Sequence, residues 1–357
     1  MKDTKIITLE DLGYNDFFND QRIALDLENF SIARVIAEYK ETYKVKSING
    51  EYLAKITGKQ VFNALKREDF PAVGDWVAIT ELDKSTALIH KILPRKTILK
   101  KKYSAKNDIQ IIAANVDVAF IVEAIDRDYN LNRLERYLVL TNEAKIIPIV
   151  LLNKIDLISK EALYCKINQI KNRFSNIEVI TASSITEQGL DDLTQKITAK
   201  KTYCFLGSSG VGKSSLINKL LGTNSIVTQN ISQSTGKGKH TTTGRDMYFL
   251  KDGGIVIDNP GMREVGIADL TDSVDDTFTE IASFSQNCRF TDCTHTHENG
   301  CAVLNAVNKK IIDEAKYSNY QKLKKEAEYY EMSDLEKRRK DRKFSKFVKK
   351  ALEQLKK

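Results

Sequence analysis

The sequence predicts a multidomain chain: a small N-terminal β-barrel, a central α/β domain carrying a phosphate loop in permuted order, and a C-terminal helical module that binds metal. Three observations carry this expectation. Residues 31–105 fall into short runs broken by turn signals, residues 109–258 hold near-continuous apolar runs separated by amphipathic stretches, and after residue 273 the strands give way to a Cys/His cluster. A chain of 357 residues suits two or three domains, and 41% hydrophobic residues suffice for real cores.

The barrel is read from SIARVIAEYKETYKVKSI, EYLAKITGK, PAVGDWVAIT and STALIHKILPR. Strands of roughly five to eight residues broken by NG, TGK and VGD predict a small antiparallel barrel, with Gly74 at a tight turn and Trp76 and Val77 starting a strand. From 109 the runs IQIIAANVDVAFIVEAI, IIPIVLL, IEVITAS, TYCFLG and GGIVIDNPG alternate with helical stretches such as LNRLERYLVLTNEA and KEALYCKINQIKNRF. Such alternation predicts a parallel sheet covered on both faces, with its chemistry at the carboxyl ends of the strands. The expected divisions are an extension over 1–30, the barrel over 31–105, the α/β domain over 106–272, a zinc module with helices over 273–330 and a basic helical tail over 331–357.

Gly207, Ser208, Ser209, Gly210, Val211, Gly212, Lys213 and Ser214 follow the strand TYCFL and open the helix KSSLINKLL, with Ser215 next in line. Glycines let backbone N–H groups converge on phosphate oxygens, and the helix N-terminus adds positive potential. Lys213 would reach the β and γ phosphates and Ser214 would ligate Mg²⁺. Asp258 ends the strand GGIVI 44 residues after Ser214, where its carboxylate can hold Mg²⁺ through water; Gly261 can offer an N–H to the γ-phosphate. Asn153, Lys154 and Asp156 follow the strand IIPIVLL. Asp156 could accept both donor hydrogens of a guanine edge, which adenine cannot supply, while Asn153 ties the base to neighbouring loops and the Lys154 stem packs on its face. Ser183, within Thr181–Ser184 at the end of the next strand, is a further candidate for the base.

The base clamp thus stands 54 residues before the phosphate loop. Elements that meet at one nucleotide need only spatial adjacency, so the order reads as a circular permutation of a GTP-hydrolysing domain. The segment after Asp258 then leads straight into the C-terminal module, a route by which nucleotide state could reorient it. In many GTPases a Gln after the Asp-x-x-Gly unit orients the attacking water. Here Met262 stands in that place and cannot do so. The loop QSTGKGKHTTTGRD at 233–246 offers His240 to position water and Thr242 to complete the Mg²⁺ shell, with Thr241 or Thr243 by slippage.

Cys288, Cys293, His295 and Cys301 place three cysteines and a histidine within 14 residues, which suits a closed tetrahedral Zn²⁺ site of structural type; His297 is a spare. Cys165 and Cys204, on a helix and a buried strand, read as core residues. An odd cysteine count with this clustering favours a reducing compartment and metal binding over disulfides. The opening MKDTKIITLEDLGYNDFF has no signal-peptide pattern and no apolar run reaches the roughly 18 to 20 residues of a membrane span, so a cytoplasmic protein without a membrane partner is expected.

The net charge is +8, but Lys337–Lys357 alone holds eleven basic residues against Asp341 and Glu353, which leaves the other 336 residues at about −1. That tail and the run HKILPRKTILKKKYSAK at 90–106 suit a polyanionic partner. Together the order NKID, GSSGVGKSS, GKHTTT, DNPG and CRFTDCTHTHENGC resembles the ribosome-small-subunit-dependent GTPase A family (RsgA, also called YjeQ or EngC), from about residue 31 to about 320, with PAVGDWV and LNRLERYL included. The resemblance implies an OB-fold barrel, a circularly permuted GTPase with GTP/GDP as ligands, and zinc on Cys288, Cys293, His295 and Cys301. It also implies a hydrophobic residue at Met262, hydrolysis stimulated by the small ribosomal subunit, and a role in late maturation of that subunit, acting on 16S rRNA as a monomer. A general RNA-binding GTP switch, and a P-loop kinase or other transferase, are the competing readings; Asn153 and Asp156 argue against the latter.

Overall fold

The computed structural model describes residues 7–102, 109–126, 129–174, 176–223, 226, 245–259, 271–332, 336, 339 and 342. The chain divides into two compact units, Met1–Val265 and Gly266–Lys357.

In the first unit α1 (Asp16–Ala24) precedes β1 (Ser31–Glu38), β2 (Tyr43–Lys46), β3 (Glu51–Ile56), α2 (Gly58–Asn63), β4 (Trp76–Glu81) and β5 (Thr86–Ile92). Strand order is β1-β2-β3-β5-β4, and β1 pairs with β4 to close a five-stranded, OB-like barrel. The expectation of an antiparallel barrel needs correction at one place: β3 and β5 run parallel. The connection through α2 and β4 supplies the length that a parallel pair requires and a tight hairpin cannot. Alternate residues such as Val35, Val45, Ala54, Val77 and Ile89 fill the interior, as the two-residue period of a strand dictates. Residues 7–30 pack on the outside of this barrel, where Leu12, Tyr14, Phe18 and Leu27 bury against Ile32, Trp76, Ala78 and Leu93.

The α/β part follows with β6 (Ile98–Lys102), β7 (Ile109–Ala114), β8 (Val118–Ala124), α3 (Leu131–Glu143), β9 (Ile147–Asn153), α4 (Lys160–Arg173) and β10 (Glu178–Ala182). It continues with α5 (Leu190–Lys196), β11 (Thr202–Leu206), α6 (Lys213–Leu221), β12 (Asp246–Phe249) and β13 (Ile255–Asp258). Sheet order is β10-β9-β8-β11-β13-β12, parallel except for β12. The run IQIIAANVDVAFIVEAI is two strands, not one: Asn115 takes a left-handed φ of 56° and turns the chain between β7, which pairs with β6, and β8. One face of the sheet buries Phe120, Leu151 and Phe205 under Leu193, Leu216 and Ile217 of α5 and α6. Helices α3 and α4 are fixed by ion pairs with fully buried carboxylates, Arg133 to Glu123 at 2.8 Å and Arg173 to Glu135 at 2.7 Å.

Barrel and sheet are joined as well as adjacent. Strand β12 pairs with β1 through Ala37 and Asp246. Gly74, at φ 98°, lies so close to β7 that a Cβ would sit 2.0 Å from the Ala114 carbonyl oxygen, so the turn needs glycine. Buried Arg34 on β1 donates to the carbonyl oxygens of Leu12, Gly74 and Asn115 and to Thr202 Oγ1, linking the N-terminal segment, the barrel and the start of β11. Burial pulls its pKa down to about 10, with Asp117 and Asp75 opposing, so it stays charged at neutral pH.

The second unit contains α7 (Thr271–Thr277), α8 (Thr279–Ser285), α9 (Ala302–Asn308) and α10 (Glu314–Glu331), with no strand among the described residues. Val274, Phe278, Ile281, Val303, Tyr320 and Leu323 are its main buried side chains, and Tyr320 donates to Asp275 Oδ1 at 2.9 Å. Among the described residues no helix is long and apolar enough to cross a membrane. Cys204 is buried as expected, but Cys165 is exposed: the period of α4 places Ile170 inward and Cys165 on the solvent side.

Candidate functional site

Strands β8, β9, β10, β11 and β13 run parallel, so their carboxyl ends line one edge of the sheet, and the predicted nucleotide residues collect there. The loop from Gly207 to Gly212 leaves β11 and enters α6 at Lys213. Lys213 is buried, and its Nζ donates to the carbonyl oxygens of Gly207 at 2.9 Å and Ser208 at 2.8 Å. The ammonium is thereby held inside the concavity that the loop forms. Ser214 Oγ donates to Asp258 Oδ2 at 3.3 Å, while Asp258 Oδ1 is buried with no protein partner. Burial pushes the Asp258 carboxyl above the usual carboxylate range, with Lys213 and the Ser214 hydroxyl opposing and Asp246 adding. A buried carboxylate with one open oxygen beside a hydroxyl is an oxygen-donor pair of the kind a hard cation takes.

The base side meets the phosphate side through Asn153. Its Nδ2 donates to the Val211 carbonyl oxygen at 2.7 Å, and its Oδ1 is buried without a partner. The contact sets a steric demand on the loop: a Cβ at Gly212, where φ is 98°, would lie 2.3 Å from Asn153 Nδ2. Asp156 Oδ1 accepts from Ser183 Oγ at 2.5 Å, and Ser183 Oγ in turn accepts from the N–H groups of Ile185 and Thr186. These bonds bring the β9 and β10 ends together, so Asp156 and Ser183 form one unit. Lys154 adopts a left-handed φ of 63°, and its Nζ pairs with Asp126 at 2.7 Å.

Two residues of this edge escape the motif reading. Asp126, just past β8, orients Lys154, and its position at a strand end is the signal that could have found it. Asn259 is buried with both side-chain polar atoms unpartnered, in the variable place of the Asp-x-x-Gly unit where motif matching sees nothing. Ser209 and Gly210 are exposed in the loop, and Ser215 lies on α6. His240, Thr242, its neighbours Thr241 and Thr243, Gly261 and Met262 lie outside the described residues.

In the second unit Cys288, Cys293, His295 and Cys301 converge, with all four donor atoms within 4.8 Å of one another. His295 Nδ1 lies 3.5 Å from Cys288 Sγ and 3.4 Å from Cys301 Sγ, and the two sulfurs are 3.8 Å apart. The cluster can hold a metal ion. Its turn is shaped by Glu298, which accepts from the N–H groups of Thr294, Thr296 and His297, and by Tyr317, whose hydroxyl donates to the His295 carbonyl oxygen. Cys301 also caps α9, accepting from the Leu304 N–H at 3.4 Å. His297 stands outside the cluster, exposed and hydrogen-bonded to Thr296.

A family model described as RsgA GTPase matches residues 92–268, and one described as 50S ribosome-binding GTPase matches residues 202–338. A small ribosomal subunit biogenesis GTPase RsgA 1 from Bacteroides thetaiotaomicron is 39% identical over 339 residues, 94% of each chain. One from Lactiplantibacillus plantarum is 40% identical over 298 residues, 84% of each chain. Among solved structures, YjeQ from Thermotoga maritima is 26% identical with a TM-score of 0.61, covering 83% of this chain and 98% of that one. YloQ, described as a circularly permuted GTPase, shares the fold at 23% identity and a TM-score of 0.58, covering 86% of this chain and 98% of its own.

Proposed function

This chain belongs to the RsgA GTPase family and hydrolyses GTP, and from that premise we propose that it acts on the small ribosomal subunit in late maturation, through rRNA, as a cytoplasmic monomer. The convergence of Asn153, Asp156, Lys213 and Asp258 at one sheet edge supports the GTPase part of the reading, and the similarity to small ribosomal subunit biogenesis GTPases supports the ribosomal part. Asp156 would read the two donor hydrogens of guanine, with Ser183 holding its carboxylate in place and Asn153 bridging to the loop at Val211. Lys213 would exchange the carbonyl oxygens of Gly207 and Ser208 for phosphate oxygens, and the loop N–H groups from Ser208 to Ser215 would surround them. Gly261 would add a further N–H at the γ-phosphate.

Ser214, Thr242 and Asp258 are the residues that would hold Mg²⁺, and the open Oδ1 of Asp258 fits that role. When bound, the ion neutralises charge on the β and γ phosphate oxygens. His240 would position water, because Met262 has no polar atom suited to it. For the cluster of the second unit we propose zinc. A tetrahedral ion with ordinary Zn–S and Zn–N bonds sets edges of about 3.8 Å between sulfurs and about 3.5 Å from sulfur to nitrogen; the spacings among Cys288, His295 and Cys301, at 3.8, 3.5 and 3.4 Å, agree with three of those edges, and Cys293 lies within 4.8 Å of the other donors. We place the functional divisions at 31–105, 106–272 and 273–330, with 1–30 and the basic 331–357 as appendages.

The test is GTP turnover by the metal-loaded protein, alone and with small subunits, large subunits or naked RNA at one fixed salt concentration, because basic tails bind any polyanion. Stimulation by small subunits alone is expected, and His240→Ala should abolish it while GTP still binds. Equal stimulation by naked RNA would favour a general RNA-binding switch, and stimulation by large subunits alone would redirect the reading to the other subunit.

A further inference from the structure

Strands β8 and β9 run parallel with Ala124 opposite Asn153, so the residues just past their ends, Asp126 and Lys154, emerge side by side although they stand 28 positions apart in sequence. The turns that carry them are tied together: the Ile125 N–H donates to the Asn153 carbonyl oxygen at 3.1 Å, and the Tyr129 N–H donates to that of Asp126 at 3.2 Å. Lys154 holds a left-handed φ of 63°, a conformation that a residue other than glycine keeps only where its surroundings over-determine it. Its Nζ meets Asp126 Oδ2 at 2.7 Å, and the two side chains are only 21% and 30% exposed. An ion pair shielded to this degree is screened less than one in open solvent.

A base clamp asks two things of Lys154. Its methylene stem has to lie flat against the guanine face, and its ammonium has to stay clear of that face. A lysine side chain has many rotamers, and beside a triphosphate an unheld ammonium is drawn toward the phosphate oxygens. A carboxylate on the ammonium meets both demands before any ligand arrives: it offsets the charge and keeps the stem in one arrangement, so that binding no longer bears the cost of ordering it. We propose that Asp126 is a positioning residue for the nucleotide, holding Lys154 in its base-stacking arrangement and thereby setting the affinity for GTP and GDP alike. The Asn-Lys-x-Asp motif supplies no such acid; the neighbouring strand does. Hydrolysis leaves the base unchanged, so the contribution is uniform over substrate, transition state and product and belongs to KM rather than kcat. The inference rests on the guanine reading of Asn153, Lys154 and Asp156.

The experiment is a double-mutant cycle on the full chain, with GDP and a non-hydrolysable GTP analogue titrated by calorimetry and GTP turnover measured on the same preparations. Asp126→Ala is expected to weaken both nucleotides equally, by about three- to tenfold, the ordering cost of one long side chain. KM should rise by the same factor while kcat stays near that of the parent. Asp126→Asn keeps an acceptor oxygen for the ammonium and should recover part of the loss. In a Lys154→Ala background Asp126→Ala should cause no further loss. Equal losses in the two backgrounds, unaltered affinity in Asp126→Ala, or a fall in kcat at unchanged KM would overturn the proposal, since an acid that merely braces the turn acts with or without Lys154. If Asp126→Ala does not fold, the cycle is run with Asp126→Asn, whose smaller loss must likewise vanish without Lys154. Base selectivity of Asp156→Asn is measured alongside. Unaltered selectivity removes the guanine reading and this inference with it; altered selectivity with an additive cycle removes only the role of Asp126.

Discussion

The nucleotide site and the Cys/His cluster are built in opposite ways. At the sheet edge the described charged groups are held by protein partners, Lys213 on two carbonyl oxygens, Asp156 on Ser183 and Lys154 on Asp126, while Asp258 accepts from Ser214 and keeps its second oxygen open. Those partners stand at the ends of buried strands, so a large core fixes the site before any ligand arrives. In the second unit the donors of Cys288, Cys293, His295 and Cys301 face one another, carried on turns between short helices. A site built by a core can lose its chemistry and keep its fold, whereas a module organised around its donors should lose both together.

The largest test removes the metal proposed for the second unit. Chelation, or Cys293→Ser, should unfold it, since structural ions contribute about 10–16 kcal/mol to small modules. Hydrogen exchange should then show loss of protection across α8, α9 and α10 with β8 to β13 unchanged; retained protection in those helices would break the comparison. Next in size is Lys213→Ala, for which GTP turnover should fall about 10³-fold while the thermal midpoint of the first unit shifts by only a few degrees. A collapse in stability would mean that the loop depends on its lysine.

Asp156→Asn should weaken GTP binding about 100-fold and favour xanthosine triphosphate, because the amide presents a donor where guanine also donates. Competition binding with the two nucleotides reads this directly, and unaltered selectivity would remove the guanine assignment. The smallest effect is with pH. Burial raises the Asp258 carboxyl pKa, so the folded protein takes up this proton at a higher pH than the unfolded chain and gains stability from it as pH falls. Mg²⁺ needs the anion and competes with that proton, so metal affinity should fall by up to about tenfold per pH unit below the folded pKa. Titration calorimetry across that range should show the loss in the parent and not in Asp258→Asn.

Much of this was legible in the sequence because motifs are local. A strand, a glycine-rich turn and a helix opening on Lys213 occupy neighbouring residues, and the three cysteines and His295 fall within one short segment. The reading was less good where the outcome depended on where a chain returns. The parallel pairing of β3 with β5 and the break at Asn115 follow from long connections and a single left-handed residue, and neither has a periodic signature. Cys165 was misplaced because the apolar face of α4 is narrow, with Ile170 its one buried residue.

The sequence by itself determined the residue types proposed to meet the nucleotide and a metal, and the permuted order in which they occur, because hydrogen-bond and ligand chemistry belong to side chains. Only the tertiary structure decided that Asn153 reaches Val211, that Asp126 holds Lys154, that Arg34 ties the N-terminal segment to β11, and that Tyr39, Lys66 and Phe70 line one cavity. Each of these joins residues far apart in the chain, and such contacts are set by how strands stack into one sheet rather than by any pattern along it.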